Sequence, residues 1–360
     1  MGHRGLTLIA AGLVSALWTA GCQTQPPVQF AGAPCQRPAI LHCPDKDCSS
    51  EITTNQGPVV DPKTGRTYFL DYPCDLKPGE KVTLVLSLHG GGSYGNWHRN
   101  YFPMLDYADK YRLVIATPNS RGWGANDDAY LQNIVESVVA TIGAKNIKSF
   151  WLAGHSAGSA YTRRMVCSPF YRDKVDGVLT IGGGRIGSPS SAGSAPGPIP
   201  PQTGVAARPA DPPPGLTPGA PPRPPGAGGP PRAAAEPVFA CDFSFIFMAS
   251  EYEAITQTLP QDSSWAAKYG CGPRETTAEI VDVKGGYVWD ASRQPGNDAW
   301  GHEPKGGTAK VIRFPGCQQG RVVADVVRLK KGHTEGVEPK ITEELVKLMV
   351  SAKGGKLAGG

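Results

Sequence analysis

Apolar residues along the chain follow two rhythms. Short, near-continuous runs of Val, Ile, Leu and aromatic residues, ended by Gly, Pro or Asn, read as buried strands over residues 65–73, 81–92, 111–120, 148–154, 174–184, 243–250 and 321–333. Between them, residues 126–144, 157–166, 263–270 and 338–352 carry the spacing of helices, the first and last amphipathic. Asn126 is expected to cap the helix at 126–144, with Asp127 and Asp128 favouring its positive end. This alternation predicts an α/β fold: a mostly parallel sheet with helices on both faces. No internal repeat is visible, so residues 61–353 read as one domain, followed by a flexible tail at 354–360.

The pattern fails in one long stretch. Residues 187–237 are almost all Pro, Gly and Ala, and they supply much of the chain's 35 prolines and 46 glycines. Such a segment buries too little apolar surface to offset its ordering entropy and is expected to be disordered. It falls between the strands at 174–184 and 243–250, strands β6 and β7 of the expected fold, where lids often enter such sheets. Its shortage of large apolar side chains favours a spacer or wall-interacting arm over a folded lid.

The N-terminus reads as an export signal over residues 1–21. Arg4 provides the positive start, and residues 6–20 form an apolar run too short for a typical spanning helix. The run ends in Ala20-Gly21-Cys22, which resembles a bacterial lipobox with Thr19 in place of the usual Leu. Cys22 would then carry the lipid and anchor the protein to a membrane, and Gln23 in the next position favours outer-membrane sorting. Periplasmic or cell-surface residence is expected, or otherwise plain secretion.

Setting Cys22 aside leaves eight of the nine cysteines, an even set that suggests disulfides in an exported protein. Four of them (Cys35, Cys43, Cys48 and Cys74) crowd a region of poor periodicity. Residues 22–60 therefore read as a tether and a Cys-rich extension. A net charge of +5 without a Lys/Arg block gives no sign of a nucleic-acid partner.

Candidate chemistry centres on Gly154-His155-Ser156-Ala157-Gly158, a G-x-S-x-G pattern. A strand, Phe150-Trp151-Leu152, leads directly into it and a helix follows, with small residues on both sides. That is the context of a nucleophile elbow in the α/β-hydrolase fold, with Ser156 as the nucleophile. A serine hydroxyl needs a histidine to take its proton, an acid to orient that histidine, and amide donors for the oxyanion.

His89-Gly90-Gly91-Gly92 follows an apolar strand two strands before the elbow. In this fold such a loop supplies one oxyanion donor, expected at Gly91 with Gly90 beside it, and the amide of Ala157 supplies the other. His89 reads as structural. Of seven histidines, His333 alone follows the last strand and precedes the final helix, which makes it the candidate base. His98 and His302 read as loop residues without a matching strand end, and His155 as the variable residue of the elbow.

The acid is expected after the strand at 243–250, where Glu251 and Glu253 are the candidates, Glu253 being preferred. Trp97 and Trp123 lie near the expected mouth and are candidates to bind substrate, with ordinary packing as an equal alternative. The chemistry requires no metal or organic cofactor. A histidine must be neutral to act as base, so activity is expected to fall on acidification.

Taken in order, "GRTYFLDYP", "LSLHGGG", "NDDAYLQNIVESV", "GHSAGS", "WAAKYGCG" and "GCQQGRVVADVVRLKKGHTEG" resemble the secreted polyhydroxybutyrate depolymerase and feruloyl esterase branch of the α/β-hydrolases. The resemblance covers residues 63–350 apart from the Pro-rich segment. It implies a disulfide between Cys271 and Cys317 and an exported serine carboxylesterase acting on feruloyl, acetyl or polyester bonds. Glu in the acid position departs from the family's usual Asp, and the Pro-rich segment has no counterpart in that family. A serine peptidase on the same fold and a non-catalytic surface lipoprotein are the alternatives.

Overall fold

The computed structural model describes residues 1–2, 26–33, 35, 57–186, 239–253, 262–289, 300–301 and 305–359. The export signal beyond its first two residues, Cys22, Cys43, Cys48, His302 and the Pro-rich segment 187–237 lie outside the described residues. So does most of the tether and Cys-rich extension.

Among the described residues, ten strands form a single sheet: β1 (Val59–Val60), β2 (Thr67–Asp71), β3 (Val82–Leu88), β4 (Leu113–Pro118), β5 (Ile147–His155), β6 (Gly177–Ile181), β7 (Ser244–Ser250), β8 (Glu275–Asp282), β9 (Gly307–Arg313) and β10 (Val323–Leu329). Their order is β1-β2-β4-β3-β5-β6-β7-β10-β9-β8. The six central strands, β4 to β10 in that order, are parallel throughout. Antiparallel pairs flank them, β2 with β1 on one side and β9 with β8 on the other. This is an α/β-hydrolase fold, and the positions expected for its central strands agree with the structure.

Alternation along the strands sorts the core into two layers. Leu84, Leu86, Leu88, Phe150, Leu152 and Phe245 point to one face, where helices α3 (Asp128–Ile142), α4 (Ala157–Met165) and α5 (Ser264–Lys268) cover them. Val85, Trp151, Ala153, Leu179 and Ile246 point to the other face, beneath α1 (Gly95–Tyr101), α2 (Ala108–Tyr111) and α6 (Pro339–Ser351). Because both faces are covered, the central strands read as continuous apolar runs rather than alternating ones.

Three features differ from the sequence expectation. β8 and β9 were not anticipated as strands. β8 lies at the sheet edge with mostly exposed residues, so its sequence lacks a strong apolar signal. The helix at 126–144 starts at Asp128 behind a short 3-10 turn, and Asn126 does not cap it. The Asp127 carboxylate instead accepts a hydrogen bond from the Gly124 amide at 2.7 Å. His98, expected in a loop, is buried in α1.

Cys271 and Cys317 are joined, as the resemblance implies, tying the end of α5 to the approach to β10. Two further disulfides are present among the described residues. Cys35–Cys74 holds the extension to the turn after β2, and Cys167–Cys241 links the end of α4 to the residues before β7.

Candidate active site

Ser156 sits between the end of β5 and the start of α4, with φ 52° and ψ −115°. A left-handed φ is costly for a residue with a side chain, and such strain clusters at functional sites. Two contacts hold it. The Ser156 amide donates to the carbonyl of Ile181 on β6 at 2.8 Å. Behind it, α4 packs so close to the end of β3 that a Cβ on Gly158 would lie 2.4 Å from the Leu88 carbonyl oxygen. Only glycine allows that approach, so the G-x-S-x-G pattern has a steric cause here.

The loop after β10 carries His333. Its Nδ1–H donates to Oε1 of Glu253 at 2.5 Å, and both side chains are largely shielded from solvent, at 12% and 8% exposure. Glu253 is fixed in turn, since its Oε2 accepts from the Ser250 amide at the end of β7 at 2.7 Å. Glu251 points elsewhere: its carboxylate accepts from the Lys330 amide at 2.7 Å, on the near side of the His333 loop. The structure thus brings Glu253, and not Glu251, to the imidazole.

Gly182, with φ +59°, closes this pair from below. A Cβ there would lie 2.7 Å from Glu253 Oε1 and 2.8 Å from His333 Nδ1. A Cβ at Gly183 would collide with the Ser159 side chain at 1.9 Å and lie 3.0 Å from the carbonyl oxygen of Ser156. The end of β6 therefore spaces the imidazole–carboxylate pair from the serine turn.

The backbone of His333 is held from the opposite layer. Its carbonyl accepts from the Tyr101 hydroxyl at 3.0 Å and from Nε2–H of His155 at 3.0 Å. The His155 ring packs on Tyr101 at 4.3 Å and on His333 at 4.5 Å between centroids. His155 is thus a buried connection between the serine turn and the His333 loop, a role its sequence position did not reveal. Tyr101 lacks a motif altogether; only its place on α1 brings it here.

A buried ion network fixes the rest of this loop. Arg328 forks onto Glu338 at 2.9 and 3.0 Å and donates to the carbonyls of Glu335 and Gly336. Lys331 also pairs with Glu338 at 3.0 Å. Trp300 stands edge-on to the His333 ring at 5.4 Å, and its carbonyl accepts from the Thr334 amide and hydroxyl.

The glycine loop after β3 lies against the serine. A Cβ at Gly90 would sit 3.4 Å from Ser156 Cβ, and one at Gly91 would sit 3.5 Å from Ala157 Cβ. Ala157 is the first residue of α4, among the amides that no helical carbonyl accepts. His89 braces the loop: Nδ1–H donates to the Gly90 carbonyl at 2.7 Å, and Nε2 accepts from the Ser120 amide at 3.1 Å. Burial pushes the His89 imidazole down to about 4 and that of His98 to about 3, so both are neutral braces in ordinary buffer.

Trp97 and Trp123, candidates for binding substrate, are both buried. Trp97 stacks on Tyr101 at 4.7 Å. Trp123 covers His89 at 4.6 Å and donates its indole N–H to the His89 carbonyl. Tyr94, just past the glycine loop, is the exposed aromatic there. Among the described residues no group of three His, Cys, Asp or Glu side chains could hold a metal ion.

No protein-family profile matches the chain, and neither does any curated protein sequence. Among solved structures, an acetyl xylan esterase from Aspergillus awamori aligns at 11% identity and a TM-score of 0.41, over 80% of this chain and 96% of that one. The Staphylococcus aureus fluorophosphonate-binding serine hydrolase FphF aligns at 18% identity and a TM-score of 0.29, over 34% of this chain and 53% of its own. Thermogutta terrifontis esterase 2 aligns at 15% identity and a TM-score of 0.27, over 35% of this chain and 53% of its own. The chain thus spans about half the length of the latter two, and the likenesses are remote.

Proposed function

We propose that this chain is an exported serine carboxylesterase that works through an acyl-enzyme on Ser156. The observation that carries this reading is the His333–Glu253 hydrogen bond, whose imidazole packs on the ring of His155, the residue before a serine in a strained strand-to-helix turn. A carboxylate on Nδ1 leaves Nε2 as the acceptor for the serine proton.

His333 takes the Ser156 proton as Oγ attacks the ester carbonyl. The Ala157 and Gly91 amides, with Gly90 alongside, hold the resulting oxyanion. Collapse breaks the bond to the alcohol, which leaves with the proton from His333. Water then attacks the acyl-serine, again giving its proton to His333, and the acid is released as Ser156 recovers its hydrogen.

The disulfide set and the N-terminal signal support export, with Cys22 as lipid anchor in a periplasmic or cell-surface setting. Feruloyl, acetyl or polyester bonds are the proposed substrates, in line with the resemblance of the ordered motifs to polyhydroxybutyrate depolymerases and feruloyl esterases. A series of nitrophenyl acyl esters assayed beside peptide amides tests the reading. Ester turnover abolished by Ser156→Ala supports it. Amide turnover without ester turnover favours a peptidase, and no turnover on either favours a non-catalytic lipoprotein.

A further inference from the structure

The groups proposed to act on the ester sit where the parallel strands end: Ser156 after β5, Glu253 after β7, His333 after β10 and the glycine loop after β3. The opposite edge of the sheet, where those strands begin, lies roughly 30 Å away, since β5 alone runs nine residues. Cations crowd that edge. Lys81 precedes β3, Lys145 and Lys148 open β5, Arg321 precedes β10, and Lys353 and Lys356 follow α6. Lys81, Lys145, Lys148 and Lys353 are exposed.

Contacts join these residues into one face. Lys81 donates to the Lys145 carbonyl, and Lys148 to that of Val350 at 2.9 Å. The chain after α6 folds back across the edge. The Lys353 amide donates to the Gly320 carbonyl at 2.9 Å, and a Cβ on Gly354 would meet the Lys148 carbonyl. Lys356 donates to the carbonyls of Arg172 and Asp242, and Arg321 to that of Asp176 at 3.3 Å. A carbonyl holds an ammonium without cancelling its charge. Burial, and then the Arg321 guanidinium, push the Lys356 pKa below the usual lysine value, as expected where cations stand side by side.

The acids on this edge are answered at short range. Asp75 and Glu80 share Arg112, with Lys77 beside them, and Asp242 pairs with Lys268 at 3.0 Å. Asp176 is buried and accepts from the amides of Phe150 and Lys356. The Pro-rich segment carries three arginines against two acids, so it brings no excess of negative charge.

The N-terminal tether joins the fold at this same edge. The Val28 amide donates to the Leu76 carbonyl at 2.7 Å, and Cys35 is bonded to Cys74, both partners lying in the turn between β2 and β3. Val28 follows Cys22 by six residues, a reach of at most about 20 Å. A lipid on Cys22 would therefore hold this edge, and not the active site, close to the bilayer surface.

We propose that the strand-start edge of the sheet docks on an anionic lipid bilayer, the membrane that carries the Cys22 anchor, and so turns Ser156 toward the space beyond it. Clusters of Lys and Arg beside a membrane attachment bind acidic lipid surfaces, with roughly fivefold in affinity for each charge near the surface. Beside a lipid chain, such a cluster is a second attachment signal. The proposal rests on the lipid-anchor part of the reading above and goes beyond it by naming the docking face and the orientation.

The full chain with Cys22→Ser cannot take the lipid and isolates the electrostatic contact. Its sedimentation with vesicles of phosphatidylcholine alone is compared with that on vesicles of equal parts phosphatidylcholine and phosphatidylglycerol; the apolar N-terminal run contributes to both. Affinity for the acidic vesicles should be higher by roughly tenfold or more, and the difference should vanish in about 1 M salt, where the screening length is about 3 Å. Adding Lys145→Gln, Lys148→Gln and Lys353→Gln should lower acidic-vesicle affinity by roughly tenfold or more. The same change at Lys284, Lys310 and Lys340, exposed lysines outside that edge, should leave it within a few-fold. Both triple variants should melt with their parent, which separates lost binding from lost folding.

Equal affinity for the two vesicles, or an acidic preference that the Lys145, Lys148 and Lys353 triple variant keeps, overturns the proposal. So does capture by the acidic polysaccharide alginate without vesicle binding, which assigns the edge to a wall polymer instead. Intact mass of the wild-type chain recovered from bacterial membranes reads the anchor separately. An unmodified Cys22 there sinks the anchor reading alone, while the vesicle result still decides the docking face.

Discussion

Glu253 accepts the Nδ1 proton of His333 at 2.5 Å, while Glu251, two residues earlier, is taken up by the amide of Lys330. Only one of the two acids can therefore orient the imidazole. Glu253→Gln keeps the shape but removes the charge and can favour the wrong tautomer. Ester kcat is expected to fall by roughly 10³- to 10⁴-fold, the scale seen when a triad acid is made an amide. Glu251→Gln should stay within a few-fold of wild type, and steady-state kinetics on both variants decides the assignment.

The His333 carbonyl has two donors from the packed layer beneath it, Tyr101 and His155. Each neutral hydrogen bond contributes about 1 kcal/mol, so Tyr101→Phe is expected to lower kcat by about five- to tenfold. KM should change little, because neither group is placed to touch the ester. Combining Tyr101→Phe with His155→Leu should lower kcat further than either change alone. A shift confined to KM would argue against this positioning role.

Acid sensitivity follows from the two neutral histidines. Their folded pKa values, about 4 for His89 and about 3 for His98, lie below the unfolded value of about 6.5. Between those limits the unfolded chain binds more protons, so stability falls as pH drops. Each histidine steepens the dependence by at most about 1.4 kcal/mol per pH unit below roughly pH 6. Burial raises the pKa of Asp176 and Asp325, which opposes this trend near the ordinary carboxylate range. Denaturant unfolding of wild type and His98→Gln at pH 7 and pH 5 should show the smaller acid loss in the variant.

The Cys167–Cys241 bond closes a loop with a sequence separation of 74 residues. A loop of that length corresponds to about 4 kcal/mol of lost unfolded-state entropy. The Cys167→Ser, Cys241→Ser double variant should therefore lose up to that much unfolding free energy and show a lower denaturant midpoint. An unchanged midpoint would mean that the bond does not constrain the unfolded chain.

Much of the site was legible because its parts carry local steric demands. Gly158 must be small to let α4 approach β3, and the central strands are apolar along their length because both faces are buried. What escaped was set by tertiary contact. His155 looked like a free position of the motif, yet its ring links two layers of the site. Trp97 and Trp123 had the composition of a substrate wall, but packing against Tyr101 and His89 buries them. The edge strand β8 went unseen because exposure on both faces erases its periodicity.

The central claim is that Ser156 is a nucleophile activated by His333. Intact-mass analysis after treatment with a fluorophosphonate ester addresses it most directly. One phosphonyl adduct should form on wild type and map to Ser156, none should form on Ser156→Ala, and His333→Ala should label far more slowly. An adduct that persists in Ser156→Ala, or a wild-type protein that never labels while hydrolysing no ester, would contradict the account.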